Sequence, residues 1–376
     1  MKVLRHSLII LLLASLVLVA CGDDDEDGDA ESQVVTNTDY KLGLVTNVGG
    51  SVDDGGFSES AHEGAERAVA EFGLDYAYAI SKDSNDYAIQ INSQIADNRN
   101  IIVTVGYQME AVTLEYATEN DDVYFIGVDQ TYSDVEELPA NIIGLQFAED
   151  EAAFIVGALA GKMTTSNMVG VIGGMEIPPV IRLAEGFRNG AQYVNPDVTV
   201  LIEYTGSFED GELGVQTAQD FIDEGADVVF GAAGITGYAG IQYAAREGAW
   251  VVGVDQDEWR TNFREGEIEG SERVLTSALK GVESGVYQAI DSIVAGELQA
   301  GRIVLDSAQC GVGYAPFHEA EAAVPEETQA LLVQIWRALA AGTLETGVGS
   351  DMPEPLAPGA SPEVPDDAPM PSDCEG

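Results

Sequence analysis

A chain of 376 residues exceeds what one ordinary core supports, so two lobes are expected, and 45% hydrophobic residues suit a globular body rather than a membrane bundle. Its 65 acidic residues against 16 basic ones give a formal net charge of −49. A surface that negative excludes nucleic acid, which needs clustered Lys and Arg, and favours neutral or cationic small ligands.

The chain opens with Lys2 and Arg5, then an apolar stretch from Leu8 to Ala20 broken only by Ser15. A basic start and a short apolar core predict a secretory signal peptide over residues 1–20. Such a core is too short to remain as a spanning helix. Its end, Leu18-Val19-Ala20-Cys21, resembles the lipobox of bacterial lipoproteins, which implies cleavage before Cys21 and a lipid on that thiol. The acidic run Asp23–Asp29 makes residues 21–38 a solvated, disordered tether to the membrane.

From Lys41 onward β-branched runs alternate with helical patterns. In the first half the patterning predicts strands over 41–48, 100–105 and 123–128 and a helix over 57–72. In the second half it predicts helices over 150–162, 181–193, 213–223 and around 240–246, interleaved with strands over 168–172, 198–204, 227–230 and 250–254. This alternation implies an α/β protein with doubly wound parallel sheets. Gly127-Val128-Asp129-Gln130 is echoed by Gly253-Val254-Asp255-Gln256, each after a strand, so the two are corresponding positions in similar lobes. Ligands of such sheets sit beyond the strands' carboxyl ends, which predicts a site in the interlobe cleft. The predicted division is lobe 1 over 39–146, completed by about 274–299, and lobe 2 over 147–273, completed by about 300–346. Residues 347–376, rich in Pro and acid, read as a disordered tail.

With Cys21 lipidated, Cys310 and Cys374 are the remaining thiols, and an exported chain permits them to pair; two independent thiols or an intermolecular bond are the alternatives. Beyond residue 20 the chain has two histidines, His62 and His318, and it holds no Gly-x-Ser-x-Gly, His-Glu-x-x-His or Cys-x-x-Cys motif. The run Gly157–Met163 fails as a phosphate loop, because the first Gly is one residue too close and Met163 stands where Ser or Thr would hold magnesium. No enzyme, metal or cofactor is expected.

Thr46-Asn47-Val48-Gly49-Gly50, Asp53-Asp54-Gly55-Gly56-Phe57, Gly173-Gly174-Met175-Glu176, Gly206-Ser207-Phe208, Gly253-Val254-Asp255 and Leu275-Thr276-Ser277 follow one another in order. With them the chain resembles the basic membrane protein family, substrate-binding lipoproteins of ATP-driven importers similar to purine nucleoside receptors. The resemblance implies a type I periplasmic-binding fold with three crossovers between lobes. It also implies a monomer that holds a nucleoside in its cleft for an ABC permease, with no cofactor. The stacking pair falls on Phe57 and Phe230, the ribose acceptors on Asp255 and Glu176, and a donor on Lys280, with Asn47, Ser58, Tyr107 and Gly231 around them. One ring from each lobe can clamp a flat base, and an ionised carboxylate accepts from two vicinal hydroxyls. Asn47 stands where the family usually has Asp, which leaves base identity open; another flat heterocycle such as a flavin, or a sensory role, is the alternative reading.

Overall fold

The computed structural model describes residues 39–371; the expected signal peptide, Cys21, the tether and Cys374 lie outside the described residues. Strands β1 (Lys41–Thr46), β2 (Asp75–Ala79), β3 (Ile101–Val105), β4 (Tyr124–Val128) and β5 (Ile142–Phe147) alternate with helices α1 (Phe57–Phe72), α2 (Asp86–Ala96) and α3 (Glu110–Glu119) to build lobe 1. Lobe 2 follows with α4 (Glu149–Met163), β6 (Met168–Gly173), α5 (Pro178–Val194), β7 (Thr199–Tyr204), α6 (Gly211–Glu224), β8 (Val228–Ala232), α7 (Gly234–Arg246), β9 (Trp250–Asp255) and β10 (Val274–Lys280). The chain then adds α8 (Val282–Val294), β11 (Gly301–Leu305), β12 (Val312–Tyr314) and α9 (Glu326–Ala340).

Two six-stranded sheets result among the described residues, in the orders β11-β5-β4-β3-β1-β2 and β12-β10-β9-β8-β6-β7. The pairings are parallel except β10 with β12. Central strands are covered on both faces: all five residues of β3 and of β8 are buried, which is why they read as unbroken apolar runs. The edge strand β2 is partly exposed throughout and leaves no such trace in the sequence.

Local signals set the helix ends. Gly73 closes α1 in the left-handed region at φ 65°, Pro178 and Pro179 open α5 where no N–H is needed, and Asp210 caps α6 by accepting from the N–H groups of Glu212 and Leu213. Helices α4 and α5 pack backbone to backbone. A Cβ at Gly190 would lie 1.9 Å from the Phe154 carbonyl oxygen, so only glycine allows that approach. Among the described residues no helix is long and apolar enough to cross a membrane.

The chain passes between lobes three times: at Ala148 from β5 to α4, at Gly281 from β10 to α8, and over residues 306–311 from β11 to β12. These crossovers lie side by side, the Ala148 N–H donating to Leu305 O at 3.0 Å and the Gly281 N–H to Gly311 O at 2.8 Å. The boundaries differ from those expected. Residues 274–280 belong to lobe 2, because β10 pairs with β9, and residues 301–305 belong to lobe 1, because β11 pairs with β5. A strand joins whichever sheet edge is open to it, and nothing in its own sequence marks that edge.

Residues 347–371 form no strand or α-helix, yet they lie along lobe 2 rather than hanging free. The Leu356 N–H donates to Tyr193 O, Thr343 Oγ1 to Glu363 O, and the Arg337 guanidinium to the carbonyl oxygens of Pro365, Ala368 and Pro369. Composition predicts the missing periodicity; Arg337 on α9, with Thr343 and Tyr193, supplies the contacts that fix the path. Cys310, on the third crossover, is disulfide-bonded.

Candidate functional site

The carboxyl ends of both sheets face each other. Between them lies a cavity lined from both lobes. The ends of β1, β3 and β4 contribute Asn47, Tyr107 and Asp129; the ends of β8, β9 and β10 contribute Ala232, Asp255 and Lys280. Gln256 Nε2 bridges the lobes at the mouth by donating to Gly56 O at 3.0 Å.

The turn before α1 is held by Asp54. Its carboxylate accepts from the N–H groups of Ser51 at 3.1 Å, Gly56 at 2.9 Å and Glu59 at 3.2 Å, while Gly55 takes a positive φ of 68°. This arrangement carries Phe57, the first residue of α1, to the cavity wall. Burial raises the Asp54 carboxyl despite those three donors. From lobe 2 the cavity is lined by Phe208, half-buried, whose ring lies so close to Gly174 that a Cβ there would sit 2.2 Å from it. Ile177, Val180, Leu183 and Val254 complete the apolar walls.

Asp129 and Asp255, the two aspartates of the repeated tetrapeptide, both adopt the left-handed region, at φ 61° and 65°. This shared geometry turns the chain sharply at the strand end and presents both side chains to the cavity. Lys280 Nζ lies 2.7 Å from Asp129 Oδ2 and 3.0 Å from Glu149 Oε1, and Arg182 Nε donates to Glu149 Oε2 at 2.7 Å. Burial raises Asp129 and would raise Glu149 also, but Lys280 and Arg182 outweigh it at Glu149 and hold that acid low. Burial opposes the charge on Lys280 as well, and Asp129, Glu149 and Asp255 together overcome it and raise the lysine. Asp255 is pushed up to about 6 by burial, with Lys280 only partly offsetting it. Glu258, buried at the lobe 2 wall with Oε1 accepting from the Val254 N–H at 3.0 Å, is pushed up to about 8 by burial.

Of the nine ligand residues expected, Asn47, Phe57, Ser58, Tyr107, Asp255 and Lys280 line the cavity. Asn47 Nδ2 donates to Gln108 Oε1 at 3.3 Å, which leaves its Oδ1 without a protein partner. Three residues do not line it. Phe230 is fully buried and stacked on Phe187 at 5.1 Å between ring centroids, so it belongs to the core; β8 is buried along its whole length, and the cleft begins at Ala232. Gly231 is packed against Gly237 in the same core. Glu176 is exposed and does not line the cavity, although its neighbour Ile177 does. The lobe 2 phenylalanine at the cavity is Phe208, carried in the Gly206-Ser207-Phe208 motif, and Asp129 was marked by the tetrapeptide echo. For Glu258 and Tyr238, also lining the cavity, the sequence offers no separate signal.

Residues 41–336 match the family described as ABC transporter substrate-binding protein PnrA-like. The chain is 31% identical over 309 residues to a protein of Lactococcus lactis subsp. cremoris named ABC transporter nucleoside-binding protein BmpA, covering 78% of this chain and 86% of that one. It is 30% identical over 315 residues to the CD4+ T-cell-stimulating antigen of Listeria innocua, covering 78% and 85%. An ABC transporter solute-binding protein from Aeropyrum pernix K1 shares the fold, with a TM-score of 0.72 at 24% identity over 81% of this chain and 92% of that one.

Proposed function

For a chain that belongs to the Bmp family of ABC transporter substrate-binding proteins, and is thus a binding protein rather than an enzyme, we propose that the cleft captures a nucleoside and delivers it to an import permease. The observation that carries this reading is the pairing of Phe57 and Phe208, from opposite lobes, with the carboxylates of Asp129 and Asp255 around one cavity. Two rings suit the faces of a base, and stacking contributes about 1 to 3 kcal/mol per base. The carboxylates suit the donors of a sugar and a base edge. Asp54, Asp129 and Asp255 line the cavity against the cation Lys280, with Glu258 a fourth acid that is protonated near pH 7, so a phosphorylated ligand is disfavoured. The name of the Lactococcus relative supports the same ligand class.

We further propose that the chain is held at the membrane by a lipid on Cys21 and faces the exterior; loss of metabolic lipid labelling in Cys21→Ser tests this. The ligand is tested by calorimetry of the mature protein against nucleosides, free bases, riboflavin and sugars. One-to-one binding of a nucleoside, recovered unchanged by chromatography, is the expected result. Binding of riboflavin alone, or release of a free base, overturns the reading.

A further inference from the structure

Four charged side chains form a line across the junction of the lobes. Asp129 comes from lobe 1, Lys280 ends β10 beside the second crossover, Glu149 begins α4 after the first, and Arg182 projects from α5 of lobe 2. The contacts run Asp129 to Lys280 at 2.7 Å, Lys280 to Glu149 at 3.0 Å and Glu149 to Arg182 at 2.7 Å. Side-chain exposure is 7% for Asp129, 5% for Lys280 and 0% for Glu149, so solvent does little to dilute these charges. Asp129 and Lys280 line the cavity, whereas Glu149 and Arg182 do not. Asp129 Oδ1 has no partner within the protein and is the atom left for a ligand donor.

Two carboxylates and two cations make this line neutral only when Arg182 is included. Without it a single ammonium serves two buried carboxylates, and the surplus negative charge is relieved most cheaply by binding a proton. Asp129 is the acid that takes it. It faces Lys280 from β10, Glu149 from α4, Arg182 from α5, Asp255 from β9 and, beyond Asp255, Asp54 of the turn before α1. Glu149 keeps Lys280 at 3.0 Å, whereas Asp129 stands against Asp255 as well and burial already raises its carboxyl.

We propose that Arg182 is a positioning residue for ligand binding: by holding Glu149 it lets Lys280 be shared between two acids and keeps Asp129 ionised as an acceptor. The inference rests on the nucleoside reading of the cleft. A protonated Asp129 presents a weaker acceptor to a ligand N–H or O–H group, so the loss of Arg182 should appear as a pH-dependent loss of affinity.

The test is calorimetric affinity for inosine, or for guanosine, adenosine, cytidine or uridine where one binds more tightly, taken as the ratio of variant to wild type between pH 6.5 and 8.5. The ratio cancels the titration of Asp255, common to both. Arg182→Met should bind about tenfold more weakly than wild type at pH 6.5, with the gap closing toward pH 8.5. Arg182→Lys should stay near wild type, and Arg182→Met with Glu149→Gln, which restores charge balance, should recover most of the affinity at every pH. A gap that is the same at every pH, or a double variant no better than the single one, overturns the proposal. Glu149→Gln alone leaves a surplus cation, so its ratio should stay flat. A ratio that falls with pH in Glu149→Gln refutes the charge argument even if Arg182→Met does not fold. Absence of nucleoside binding by the wild type fails the reading of the cleft and this inference with it; wild-type binding with flat ratios throughout fails the inference alone.

Discussion

Phe208 and Phe230 provide a crossed experiment, because the structure gives the two rings opposite duties. Phe230 is fully buried and stacked on Phe187, so Phe230→Ala removes a complete core ring and leaves a cavity that the rigid β8 cannot close. Such substitutions cost about 3 to 5 kcal/mol of stability. Phe208 is half-buried and lines the cleft, so Phe208→Ala loses little packing but one stacking surface, about 1 to 3 kcal/mol of binding, or roughly 5- to 150-fold in dissociation constant. Urea unfolding of the unliganded proteins and calorimetry with the bound nucleoside give the two quantities separately. The expected pattern is a large shift in urea midpoint with near-normal affinity for the Phe230 variant, and the reverse for the Phe208 variant. A Phe230→Ala protein of normal stability and weak binding would refute the reasoning, since it would return the stacking role to Phe230.

Lys280→Met should destabilise the protein by about 3 to 5 kcal/mol at pH 8, because it strands the buried Asp129, and by less at pH 5. The sign follows from Asp129, whose carboxyl burial already raises: as pH falls it takes a proton in the folded variant and its charge disappears. Urea midpoints at the two pH values check this, and a pH-independent loss counts against it. Asp255, pushed up to about 6, accepts from sugar hydroxyls best when ionised, so riboside affinity should fall as pH drops through 6 and stay flat in Asp255→Asn. Cys310 is disulfide-bonded, and Cys374 is its proposed partner; denatured, unreduced protein should show no free thiol and Cys374→Ser should free one, whereas two free thiols in the unaltered chain would refute the pairing.

What the sequence determined by itself is what short-range patterning encodes. The α/β alternation, the span of α1 from Phe57 to Phe72, and the matching strand ends at Asp129 and Asp255 all follow from periodicity, glycine placement and one repeated tetrapeptide. Six of the residues that the family resemblance implied, Asn47, Phe57, Ser58, Tyr107, Asp255 and Lys280, line the cavity, on the side of the sheets where a doubly wound fold puts its ligand. Only the tertiary structure decided which phenylalanine of lobe 2 reaches the cleft. Phe230 and Phe208 both follow runs that read as strand or turn, and the choice turns on β8 being buried to its end. It also decided which sheets receive β10 and β11, and that Lys280 would meet both Asp129 and Glu149 with Arg182 behind. Those partnerships join residues far apart in the chain. They exist because burial forces each charge to find an opposite one in space, a requirement that no local pattern records.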